Sequence, residues 1–130
     1  MKIMICYDGK NPSKIAVEKG MALAKKWGAE VLVVSSMYTE DRFHQKEVDT
    51  MRQELARIQE NAKGEKVRCT TRLSIEGLEP EKDLLKQADA FGAELIVIGI
   101  RKRSQVGKLL MGSVAAYIIL NSDCPVLAMK

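Results

Sequence analysis

Residues 2–36, KIMICYDGKNPSKIAVEKGMALAKKWGAEVLVVSS, decide the fold. They open with an apolar run of strand length, residues 2–7, that ends at the turn signal Asp8-Gly9. Asn11-Pro12 predicts a helix start, with Asn11 as the cap and proline at the first helical position. Ala16, Gly20, Leu23 and Trp27 then recur at helical spacing, Lys14, Glu18 and Lys25 take the other face, and Gly28 stops the helix. Residues 30–36 follow as a second strand, apolar without strict alternation. Strand, helix and strand in succession set a pattern that the rest of the chain repeats.

Residues 40–63 are charged, but Val48, Met51, Leu55, Ile58 and Ala62 recur at spacings of three and four. That predicts an amphipathic helix, closed by Lys63-Gly64. Residues 66–75 (KVRCTTRLSI) interleave β-branched and polar residues, predicting a third, more exposed strand at the sheet edge. EGLEPEKDLL opens a third helix, with Leu84, Leu85, Ala88 and Phe91 inside and Gly92 as its stop. LIVIG (95–99) predicts a strand buried on both faces. After the basic loop IRKRSQVGKLLM, Gly112-Ser113 begin a fourth helix, and Pro125 leads into a last strand, Val126–Met129. KWGAEVLVV (26–34) and AFGAELIVI (90–98) repeat one helix-to-strand joint: an aromatic plug, a glycine cap and a short turn. Five strands alternating with four helices predict an α/β fold, an open parallel sheet with right-handed crossovers and helices on both faces. With no linker-like or low-complexity stretch, residues 1–130 are expected to form one domain.

Composition narrows the function. Hydrophobic residues make up 46% and charged residues 29%, ordinary for a soluble globular protein. No apolar run approaches the roughly 20 residues that span a bilayer. The start, MKIMICYDGK, is too short in apolar residues for a signal-peptide core, so the cytoplasm is the expected compartment. Cys6, Cys69 and Cys124 have no CxxC spacing and read as small buried hydrophobes in a reducing compartment. With His44 as the sole histidine, no metal cluster is expected. A net charge of +4 with 5% aromatic residues is too mild a basis for nucleic-acid binding.

In sheets of this kind ligands bind beyond the carboxyl ends of the strands where the winding reverses. With strands 1 and 4 as neighbours there, Asp8 and Gly99 fall beside one crevice. Gly99, Gly112 and Ser113 frame the loop from strand 4 into helix 4, where glycines allow close backbone approach and free N–H groups attract an anion. Ser113 is expected to be the N-cap of helix 4. The plainer account is a strand end and an ordinary cap, just as Asp8-Gly9 can be ordinary turn chemistry. Gly107-Lys108 does not make a Walker A loop, since Lys102 and Leu109 stand where glycine and Ser or Thr are required. No GxGxxG follows strand 1.

The stretch IGIRKRSQVGKLLMGSVAAYIILNSDCPVLAM resembles the C-terminal signature of the universal stress proteins. Their nucleotide-binding members carry glycine, two residues, glycine, nine residues, then glycine followed by Ser or Thr. Gly99, Gly112 and Ser113 match with the spacing preserved, and KIMICYDGKNPSKIAVEKGMALAKKWGAEVLVV resembles the family's first strand and helix. The resemblance spans nearly the whole chain and is weakest over residues 38–75. It implies a Rossmann-like, HUP-type α/β sheet of order 3-2-1-4-5. It also implies a homodimer paired through the last strand and ATP, with or without Mg²⁺, at the ends of strands 1 and 4. Carried over, Asp8 would meet the ribose or adenine side, with Cys6 beside it. The backbone near Ser36 would read the adenine edge. Ile98, Gly99, Arg101, Gly112, Ser113 and Val114 would surround the phosphates.

Lys102 departs from the pattern, standing at the second glycine. Its side chain obstructs the phosphates if the backbone needs φ > 0, or with Arg101 and Arg103 it supplies them with positive charge; a third account is a solvated loop. The first expectation is therefore a nucleotide-binding regulatory protein with no efficient catalysis and at most slow ATP hydrolysis, since no nucleophile–base pair is visible. The alternative is a nucleotide-free dimerisation and protein-interaction module. Helix 4, apolar on all sides from Val114 to Leu120, calls for burial all round, and a last strand without protective charges fits pairing with a second subunit.

Overall fold

The computed structural model describes residues 1–38, 44–101 and 112–130. Their elements run β1 (Lys2–Cys6), α1 (Asn11–Trp27), β2 (Glu30–Ser36), α2 (Gln45–Gly64), β3 (Cys69–Ser74), α3 (Pro80–Phe91), β4 (Leu95–Gly99), α4 (Ser113–Asn121) and β5 (Val126–Met129). The five strands form one sheet in the order β3-β2-β1-β4-β5, parallel throughout. The α/β architecture and strand order are those expected.

Side-chain alternation along β1 divides the core in two. Ile3 and Ile5, with Val31, Val33 and Val97, face α1 and α2 and meet Ala16, Ala24, Leu55 and Ala62. Met4 and Cys6, with Leu32, Val34, Ile96 and Ile98, face α3 and α4 and meet Leu84, Ala88, Ala115 and Ile118. Strands buried on both faces therefore read as unbroken apolar runs. Each such aliphatic side chain contributes about 1.5–3 kcal/mol by leaving water. Helix α1 lies especially close to the sheet: a Cβ at Gly20 would stand 2.7 Å from Ile5 Cδ1.

The two echoed joints are built alike. Gly28 and Gly92 take left-handed φ of 63° and 74°, and Ala29 and Ala93 then donate to the carbonyls of Ala24 and Ala88, both at 2.9 Å. Their aromatic residues differ. Phe91 is half-buried beneath the Lys2 ammonium, 5.2 Å from the ring centroid, whereas Trp27 is 49% exposed and plugs nothing. Ala24 occupies the buried position expected of its neighbour, so the inward stripe is Ser13, Ala16, Gly20 and Ala24.

Other boundaries shift for local reasons. Asn11 is the first residue of α1 rather than its cap; Lys10 is the cap residue. Helix α2 runs through Gly64, and Lys66, at φ 61°, takes the left-handed turn beyond it, with Val67 N–H donating to Ala62 O at 2.9 Å. Those residues close the helix, which is why β3 begins only at Cys69. β3 lies at the edge with the expected alternation. Helix α4 buries only Ala115 and Ile118, leaving Leu120 82% exposed with Ile119 and Leu127 also exposed. The expected all-round burial is not met within one copy of the chain, because one stripe suffices to cover the sheet. No helix among the described residues is long and apolar enough to cross a membrane.

Candidate functional site

The winding reverses between β1 and β4, and a cavity of about 350 Å³ opens at their carboxyl ends. Every expected site residue that the structure describes lines it. Lys102 lies outside the described residues, as do Arg103, Gly107, Lys108 and Met111.

The floor includes Cys6 and Ile98. Burial, reinforced by the charge of Asp8, pushes the Cys6 thiol up to about 12, so it stays protonated at neutral pH and is no nucleophile.

One wall comes from the β1–α1 turn. Asp8 Oδ1 accepts the Lys10 N–H at 2.9 Å and lies 2.8 Å from Ser13 Oγ, whose hydroxyl donates into the pair formed by Asp8 Oδ1 and Lys10 O at 2.9 Å. Asp8 N–H in turn reaches Ser13 Oγ at 3.2 Å. Asp8 thus does the turn work expected of Asp-Gly, and it also stands at the cavity. The cap expected of Asn11 is not made by any side chain of the N-cap residue, while Ser13 ties the start of α1 to the Asp8 turn. Its signal was an Asp–Ser pair five residues apart across the turn.

The facing wall comes from β4 and α4. Gly99 meets the first turn of α1: a Cβ there would run into the carbonyl group of Pro12 and stand 2.7 Å from Ser13 N. This glycine is required by backbone-to-backbone packing. Gly112, at φ 79° and ψ 153°, is the N-cap residue of α4, and Ser113 is its exposed first residue rather than its cap. Among the described residues no side chain caps α4, and Ser113 and Val114 at its start line the cavity. Arg101 and Lys10 add positive charge at the rim.

The third wall is Ser36 at the end of β2 with Pro80 and Leu84 of α3. Behind it lies a polar network not anticipated from the sequence. Asp83 is 1% exposed; Ser36 Oγ donates to its Oδ2 at 2.5 Å, and Gln87 Nε2 donates to its Oδ1 at 3.2 Å. Gln87 Nε2 also reaches Ser74 Oγ at 3.3 Å, while Gln87 Oε1 accepts from Arg72 Nη1. Burial pushes the Asp83 carboxyl up, but hydrogen bonds from Ser36, Ser74 and Gln87, with the charge of Lys86, outweigh it and hold it below its ordinary value. The available signal was position: Asp83 and Gln87, four apart, flank the Leu84–Ala88 stripe.

The chain has clear relatives. The model described as the universal stress protein family matches residues 1–130. A universal stress protein of Mycolicibacterium smegmatis is 35% identical over 133 residues, covering 98% of this chain and 96% of the relative. The solved universal stress protein of Archaeoglobus fulgidus superposes with a TM-score of 0.87 at 32% identity, covering 100% of this chain and 98% of that one. A universal stress protein of the same organism, solved in complex with dAMP, gives 0.82 at 27% identity, with 100% and 98% coverage. Sequence and fold agree from end to end, and the chain belongs to the universal stress protein family.

Proposed function

We propose that this protein is a cytoplasmic regulatory nucleotide binder, taking ATP or a close adenine nucleotide in the cavity and acting as a homodimer. The observation that carries the reading is the meeting of Asp8, Gly99 and the start of α4 around one hollow. The walls differ in chemistry as a nucleotide requires. Helix N–H groups with Arg101 suit phosphates, and Pro80 with Leu84 offers an apolar surface to a base. The relative bound to dAMP supports the same ligand class. In this reading Gly112, Ser113 and Val114 hold phosphate, Asp8 meets the ribose side, and Cys6 and Ile98 form the floor. Mg²⁺ would arrive with the phosphates, since the described residues hold no group of three or more His, Cys, Asp or Glu suited to a metal. The chain is a binder rather than an enzyme, with slow ATP hydrolysis as the upper bound. The test is calorimetry with ATP at millimolar concentration, alongside mass spectrometry of denatured protein. Heat of binding or a co-purified adenine nucleotide supports the reading; the absence of both overturns it.

The dimer is proposed through β5. Among the described residues its outer edge has no partner strand in the sheet, and Leu127, Ile119 and Leu120 stand exposed. A protein that sediments as a monomer into the high micromolar range would refute this pairing. The same exposed face favours a second reading, a nucleotide-free module that works through that surface alone. Lys102→Gly separates the two: a gain of ATP binding that the parent lacks makes the parent a non-binder.

A further inference from the structure

We propose that the outer edge of β3 is a docking edge for an extended acidic segment of another protein, which adds to the sheet as a further strand. The inference is independent of the nucleotide reading above and concerns the end of the sheet away from β5.

Backbone parity opens this edge. Val31 N–H donates to Arg68 O at 2.8 Å and Met37 N–H to Ser74 O at 2.9 Å, so even-numbered residues here turn their main-chain groups toward β2. Successive residues point these groups to opposite sides, and Cys69, Thr71 and Leu73 therefore present theirs outward. β3 is the last strand of the sheet, and among the described residues no strand pairs with its outer side.

Sockets accompany the edge at a matching spacing. Two hollows, about 440 and 410 Å³, lie between it and α2. Cys69 lines the first, and Thr71 and Leu73 line the second, so they follow one another at the two-residue period of a strand. Exposed Arg52, Ala56, Gln59 and Lys63 run along the facing flank of α2 at helical spacing. An open edge with sockets for alternate side chains is how sheets accept an extended peptide: main-chain bonds give affinity and the sockets give specificity. Charge decides the occupant. Lys63, Lys66 and Arg68 line the first hollow against a single acid, Glu60. Exposed Arg72 stands on the other face of β3, where its contact with the neutral Gln87 amide leaves its charge uncancelled. A second copy would bring the same cations to the same edge, and like charges across neighbouring strands destabilise a sheet. An acidic strand is attracted where a copy is repelled.

The experiment uses the full chain and a fluorescein-labelled peptide of about ten residues, alternating valine with glutamate and long enough to span β3. Fluorescence anisotropy should show it binding about tenfold or more tightly than its valine–lysine counterpart. It should exceed by a similar factor the same acidic peptide with methylated backbone N–H groups. Thr71→Pro removes an outward N–H that β2 does not use, and should weaken the acidic peptide about tenfold. Thr71→Ala, which loses the same hydrogen bond to Gln59, should leave its affinity unchanged. If Thr71→Pro does not fold, as judged by its melting transition, the Lys63→Glu, Arg68→Glu double variant takes its place with a similar loss expected. An acidic peptide that does not bind, or binds no better than the lysine or methylated one, overturns the inference. A folded Thr71→Pro or double variant that keeps the parent's affinity does the same. So does a Thr71→Pro protein that sediments as a smaller species than the parent, since the occupant is then a second copy.

Discussion

Two walls of the same cavity are held by different physics. Where β1, β4 and α1 meet, the wall is set by backbone: Gly99 admits the first turn of α1 to within contact of its own main chain, and Asp8 with Ser13 ties that turn down. Where β2 meets α3, the wall is set by charge, with the buried Asp83 gathering Ser36, Gln87 and Ser74. The first arrangement leaves no room for an added atom at Gly99. The second tolerates small changes of shape but depends on an ionised carboxylate and on the direction of each bond.

The largest way to break the contrast is Gly99→Ala. Its methyl has no room against the Pro12 carbonyl, and urea denaturation should register a loss of about 3 kcal/mol, the upper range for overpacking. A loss below about 1 kcal/mol would mean that α1 moves aside easily, and the interlock would not be one. Asp83→Ala comes next, stranding the donors of Ser36 and Gln87 at a cost of about 2 kcal/mol at neutral pH. Here acid sharpens the comparison. The folded carboxyl titrates below its ordinary value of 3.8, so its contribution is fully present above that value and fades as the pH falls through the folded one. Parent and Asp83→Ala should therefore converge in stability as the pH drops below about 4, while the Gly99→Ala deficit persists. Ser13→Ala should cost about 1 kcal/mol, the usual worth of an N-terminal helix contact. The smallest effect concerns the floor shared by both walls. With its pKa near 12, Cys6 is about one part in ten thousand thiolate at pH 8, so thiol reagents should leave it unmodified in the native state. Rapid labelling at Cys6 would mean the floor opens.

The contrast also explains what was legible in the sequence. Backbone devices leave strong marks: Asp8-Gly9, Asn11-Pro12, Gly28, Gly92 and the glycines at 99 and 112 announced turns, stops and the crevice, and the alternation of elements announced the parallel sheet, whose strand order came from the family resemblance. Asp83 left almost none. In EPEKDLL it is one acid among several, indistinguishable from its exposed neighbours until β2 and β3 supply Ser36 and Ser74. Boundaries misread by a residue, Asn11 for Lys10 and Ser113 for Gly112, share a cause. In neither helix does the N-cap residue's side chain take the first N–H groups, so a capping residue type does not mark the boundary. Trp27 was assigned to the interior by pattern, and Leu120 to a helix calling for burial all round with a second subunit on one side; apolar character alone does not say whether the covering surface lies within one copy of the chain.

Gly20 carries a consequence at a distance. It lets the middle of α1 rest on Ile5, and Pro12 and Ser13 sit eight and seven residues earlier on the same rigid rod, about 12 Å away at 1.5 Å per residue. Helix and sheet touch there like a beam on its fulcrum. A methyl group under the fulcrum would lift the near end against Gly99, so the clearance at the mouth of the hollow is gauged by a residue that no ligand could reach.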